Sequence, residues 1–134
     1  MMNHFETIDR ESLNILQHLV GNEFPSVIGR YLNDSEYYIQ EMDLAFKKAS
    51  YGDLYQLAHT LKGSSGTLSA NRLHDICAEL EQRAMAPSSF GQLAQLLNAI
   101  ESEFQQVKTA LMEYLESSVA NEITASVLPS FATD

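Results

Sequence analysis

Apolar side chains recur along most of the chain at three- and four-residue steps, the spacing of one helix face, and no run alternates as a strand would. Residues 1–8 read as an arm in which Phe5 and Ile8 are available to pack. Asp9 is placed to cap a short helix whose Leu13, Leu16 and Val20 share a face, and Gly21 to end it. Pro25 suits a first helical turn. Beyond it Ile28, Tyr31, Leu32, Tyr38, Ile39, Met42, Ala45, Phe46 and Ala49 outline a long amphipathic helix of about six turns. Ser50, Tyr51 and Gly52 read as a break, followed by a third helix around His59. Ser69 is expected to start a fourth, with Leu73, Ile76, Cys77, Leu80 and Ala84 as its stripe. Pro87 should stop it, and Ser88 or Ser89 should cap a fifth that carries Leu93, Leu97, Ile100, Phe104, Val107, Leu111 and Tyr114 at near-heptad spacing.

Two long and two shorter helices with brief connections bury their stripes with least chain as an antiparallel four-helix bundle, to which the short N-terminal helix is added as a cap at one end. The expected class is therefore all-α, with residues 1–116 as one helical domain. Residues 117–134, where the pattern weakens around Ile123, Val127, Leu128 and Phe131, form a tail that either frays or covers an apolar groove.

The third helix breaks its own pattern on one side. Measured at roughly 100° per residue from His59, Leu57, Leu61 and Leu68 lie opposite, with Leu54 and Ala58 at the margins. Those residues face a core, so His59 faces water. Lys62, Gly63 and Gly66 fall within about 60° of it, as do Gly52, Tyr55 and Gln56. A glycine inside a helix costs about 1 kcal/mol relative to alanine, so two beside one exposed histidine oppose local propensity, as functional sites often do. Spacing alone leaves open the plainer reading, in which both glycines belong to a helix end and His59 is an ordinary surface histidine.

The run Ala58-His59-Thr60-Leu61-Lys62-Gly63-Ser64-Ser65, then Leu68-Ser69-Ala70, Leu73, Cys77 and Leu80-Glu81, resembles the signature of histidine-containing phosphotransfer (HPt) domains. Such domains carry a phosphoryl group between receiver-domain aspartates in multistep two-component phosphorelays. The dense match covers about 25 residues. It departs in one place, since the family usually has Leu-Gly-Ala where this chain has Leu68-Ser69-Ala70. The resemblance implies that His59 is the phosphoacceptor, that Lys62 attracts phosphoryl oxygens, and that Ser64 or Ser65 supports the helix or the phosphohistidine. It implies response-regulator receiver domains and a hybrid sensor histidine kinase as partners, with Mg²⁺ on the receiver and no cofactor or metal in this chain.

Elementary chemistry agrees with that assignment. Imidazole is partly unprotonated near neutral pH, and in-line transfer needs open space between the attacking nitrogen and the donor carboxylate, which Gly63 and Gly66 would provide. Tyr55 and Gln56 are placed to touch the partner, although Tyr55 reads equally well as a half-buried ring at the bundle edge. Ser64 and Ser65 point well off the His59 direction, where serines often bond a carbonyl one turn back. An exposed Lys62 is also readable as a plain solvated charge.

Composition narrows the alternatives. Eighteen acidic against eight basic residues give a net charge of −10, which argues against nucleic acid or an anionic membrane as partner. There is no apolar run of about 18 residues for a membrane span, no secretory signal pattern, and one cysteine, Cys77, so a reducing cytoplasm is the expected compartment. No nucleotide loop or convincing magnesium cluster is present, so the chain reads as a carrier rather than an enzyme. With a methionine start and no kinase core, a free-standing monomeric shuttle is expected. The second reading is an adaptor that docks a receiver or kinase without carrying phosphate. A third, a zinc site at His74 and Cys77, lacks a second ligand pair, and Cys77 reads better as core. His4 and His18 read as surface histidines, and Glu101, Glu103, Glu113 and Glu116 as a solvated face.

Overall fold

The computed structural model describes residues 7–86 and 90–127, and of 120–127 the backbone alone. Its helices are α1 (Arg10–Val20), α2 (Phe24–Lys47), α3 (Tyr51–Thr67), α4 (Asn71–Met85) and α5 (Phe90–Val127), with a 3₁₀ turn at Gly21–Glu23. No strand occurs among the described residues. Each of α2, α3 and α4 packs on its successor, and α5 closes back on α2. The expected four-helix bundle with a short N-terminal helix is the fold observed. No helix among the described residues is long and apolar enough to cross a membrane.

The heptad-like stripe of α5 is its buried face. Leu93, Ile100, Phe104, Val107, Leu111 and Tyr114 are buried against Leu13, Phe24, Ile28, Met42, Leu61, Leu73 and Leu80. Phe104 meets the Tyr31 ring edge to face, with centroids 6.4 Å apart. Asp9 caps α1 by accepting from the Glu11 and Ser12 amides, and Gly21 ends it at φ 71°. The Asp9 amide donates to the Ser69 carbonyl at 2.9 Å, while Tyr114 donates to Asn14 and, at 2.8 Å, to Gln17. Helix α1 is thereby tied to the bundle end that holds the α3–α4 connection.

Three sequence expectations need correction here. The break before α3 is Lys48–Ser50, and Tyr51 and Gly52 already belong to the helix. Ser69 does not cap α4. The residue before that helix is Ala70, which makes no side-chain cap, and Ser69 sits at φ 64° as the left-handed residue that ends α3. The Ala70 amide reaches the Ser65 carbonyl at 2.9 Å and the Ser69 amide that of Gly66 at 3.1 Å, the paired closure that favours glycine at this place. Ala49, at φ 56°, ends α2 in the same way. A left-handed non-glycine residue costs on the order of 1 kcal/mol. Ser69→Gly should therefore raise stability by about that amount in urea unfolding, and a loss of stability would show that the serine side chain matters more than the backbone strain.

The third correction concerns Glu103, which is buried rather than part of a solvated face. It lies one residue from Phe104 on the packed side of α5, with Arg72 of α4 at 3.7 Å and its Oε2 without a partner. Burial, opposed by Arg72, raises its pKa above the ordinary carboxylate value. Helix α5 itself continues through residues 117–127, so this part of the expected tail is helical backbone. Residues 128–134, the arm residues His4 and Phe5, and the proposed stop and caps at 87–89 lie outside the described residues. Ile8, the other arm residue, is buried in the core.

Candidate functional site

The buried stripe of α3 is Leu54, Ala58, Leu61, Ser65 and Leu68, with Leu57 only partly buried. This face is rotated from the one expected, and the rotation turns His59 partly toward α4. Its side chain is 58% exposed, yet Nδ1 lies 2.7 Å from Oε2 of Glu81. The other carboxylate oxygen of Glu81, Oε1, lies 2.7 Å from the Lys62 ammonium. Glu81 is thus the centre of the site, with a side chain only 10% exposed. In the sequence it stands in the run that carries the family resemblance, with no expected role of its own.

Lys62 holds the Glu81 carboxyl below its usual range, opposed by partial burial and helped by the His59 bond. An ionised carboxylate only accepts hydrogen bonds, so the Nδ1 that faces it carries the proton. Nε2 is then the nitrogen with the free lone pair, and it makes no hydrogen bond among the described residues. The Tyr55 ring lies nearly parallel to the imidazole, at 9° and 6.3 Å between centroids. Tyr55 also packs against the core, so it is both the half-buried ring and a neighbour of the histidine. Gln56 is exposed, three residues before His59 on α3.

Helices α3 and α4 run antiparallel in a fixed register. Seven residues after His59 on α3 comes Gly66, and seven before Glu81 on α4 comes His74, and these two meet as well. A Cβ on Gly66 would lie 3.2 Å from Cδ2 of the His74 ring. Gly66 therefore lies in close packing with α4 rather than beside open space. Gly63, between them, is open: a Cβ there would meet nothing within 4 Å.

The serines do not reach His59. Ser64 donates to the carbonyls of Thr60 and Leu61, both at 3.3 Å. Ser65 is fully buried and bonds the Tyr31 hydroxyl at 2.8 Å, which fixes α3 on α2 from behind. His74 and Cys77 do not share a site, since His74 faces Gly66 and Cys77 is buried in the core. Burial pushes the Cys77 thiol up to about 12, so it stays protonated. Among the described residues no group of three or more His, Cys, Asp or Glu is arranged to hold a metal ion. His18 is exposed and faces its own helix carbonyl at Asn14.

No curated protein matches the sequence. Among solved structures, histidine-containing phosphotransfer protein B (HptB) from Pseudomonas aeruginosa PAO1 is 25% identical, with a TM-score of 0.80 over 84% of this chain and 97% of that one. The histidine-containing phosphotransfer protein ZmHP2 from maize shares the fold at 18% identity, with a TM-score of 0.71 over 82% of this chain and 90% of that one. Residues 26–119, which span α2 to α5 and include His59, Lys62 and Glu81, match the family model for the Hpt domain. This chain is a member of the Hpt domain family, the family of histidine phosphotransfer in phosphorelays.

Proposed function

We propose that His59 accepts a phosphoryl group from a receiver-domain aspartate and that the chain passes it to the aspartate of a second receiver. The first receiver belongs to a hybrid sensor histidine kinase and the second to a response regulator. The observation that carries this reading is the half-exposed imidazole whose Nδ1 is held by Glu81 and whose Nε2 is free beside open space at Gly63.

Attack by Nε2 forms a nitrogen–phosphorus bond while the bond to the aspartate oxygen breaks, and the donor leaves as a carboxylate. The chain supplies the nucleophile and its orientation. The receiver supplies the carboxylate and the Mg²⁺ that neutralises the transferring group, so the chain is a carrier and needs no cofactor of its own. Lys62, three residues after His59, pairs its ammonium with Glu81 at 2.7 Å.

Incubation with a phosphorylated receiver domain and Mg²⁺ tests this. The protein should become labelled through an acid-labile, base-stable bond, and His59→Gln should take up no label. A label that survives acid, or that persists in His59→Gln, would defeat the reading. Binding of the receiver without any labelling would leave the adaptor role in its place.

A further inference from the structure

The Glu81 carboxylate holds Nδ1 of His59, the nitrogen that does not attack. Both its oxygens are engaged at 2.7 Å, one by Nδ1 of His59 and one by Lys62, and little of the side chain reaches solvent. No proton leaves the ring when Nε2 takes the phosphoryl group, so the product carries phosphorus on Nε2 and a proton on Nδ1. That ring is formally cationic.

The groups that face it come from two helices. Glu81 of α4 presents its carboxylate to Nδ1, Tyr55 of α3 lays a parallel ring alongside, and the Lys62 charge is taken up by the far oxygen of Glu81. Cys77 of α4, a titratable neighbour of Glu81 and Lys62, is a neutral buried thiol. The carboxylate at Nδ1 favours a positive ring.

Resting on the assignment of His59 as phosphoacceptor, we infer that Glu81 is a positioning residue that keeps the phosphorylated imidazole protonated at Nδ1. The phosphoryl group thereby stays transferable in both directions. When it departs to an acceptor carboxylate, the nitrogen–phosphorus bond breaks and the electron pair returns to Nε2. With Nδ1 protonated the leaving group is neutral imidazole. Without that proton it would be the far more basic imidazolate, and the phosphohistidine would become a stored rather than a shuttled group.

The test loads the wild-type protein, Glu81→Gln and Glu81→Asp with phosphoramidate, a small phosphoryl donor, and follows loss of the group across pH. A nearby carboxylate shifts such a proton equilibrium by about one to three pH units. The wild-type rate should therefore hold to higher pH than the Glu81→Gln rate, and Glu81→Gln should be about tenfold slower or more at alkaline pH. Glu81→Asp should lie between them. Superimposable profiles for wild type and Glu81→Gln overturn the inference while His59 remains the acceptor. Failure of wild-type His59 to take up phosphoryl defeats the acceptor assignment itself. If Glu81→Gln does not fold, nitrogen NMR of the phosphorylated wild type decides: an Nδ1 bearing hydrogen at mildly alkaline pH supports the inference, and a bare one overturns it.

Discussion

Gly63→Leu should fold as the wild type does and take up phosphoryl from a receiver on the order of 100-fold more slowly, the loss typical of a reacting pair displaced by about 1 Å. A Cβ at Gly63 meets nothing within 4 Å, so the bundle has no reason to object. Leucine also forms helix better than glycine by about 1 kcal/mol, so thermal unfolding should occur at the same or a higher temperature. What the side chain does fill is the space one turn from His59 through which, in the proposed function, a donor brings its carboxylate in line. Gly66→Leu is a poorer test, because its Cβ presses on the His74 ring at 3.2 Å and α4 has to yield. Wild-type transfer rates in Gly63→Leu would mean that partners approach from another side.

Phe104→Ala separates stability from chemistry in the opposite sense. Phe104 is 1% exposed and stands edge-on to Tyr31, whose hydroxyl holds Ser65 on the buried face of α3. Truncation of a buried phenylalanine leaves a cavity as well as losing transfer energy, and costs about 3–5 kcal/mol. Urea unfolding should show that loss. Transfer per folded molecule should be close to unchanged, because the His59, Glu81 and Lys62 contacts lie on the other side of α3 and are made to α4. A proportional loss of transfer in the folded fraction would mean that the site depends on the bundle core more directly than these contacts imply.

Helix number, order and core were legible because periodic burial is a local property. Asp9, Gly21 and Pro25 mark element ends by their own chemistry, and the stripe of α5 from Leu93 to Tyr114 is readable without any partner. The chemical centre was half legible. Helical angles put His59, Lys62, Gly63 and Gly66 on one strip, and the resemblance assigned the strip a purpose. Glu81 escaped because its role depends on the register of α3 against α4, which no single helix pattern contains. The same register explains Gly66, whose neighbour is His74 of α4, and Lys62, which meets its partner on α4 rather than standing free. Glu103 was misread for a related reason: on α5 it lies just beside the seam, and only the position of α4 decides whether that flank is wet. At Ser69 the helix-capping preference of serine was followed, whereas the turn needed a left-handed residue, and the backbone closure of α3 prevailed.

In the proposed function His59 carries the phosphoryl group, and on one particular nitrogen. Phosphorus and nitrogen NMR of the protein phosphorylated by a receiver domain with Mg²⁺ addresses both at once. A single phosphorus resonance coupled to Nε2 of His59 is expected. Phosphorus coupled to Nδ1, or found on any other residue, would contradict it.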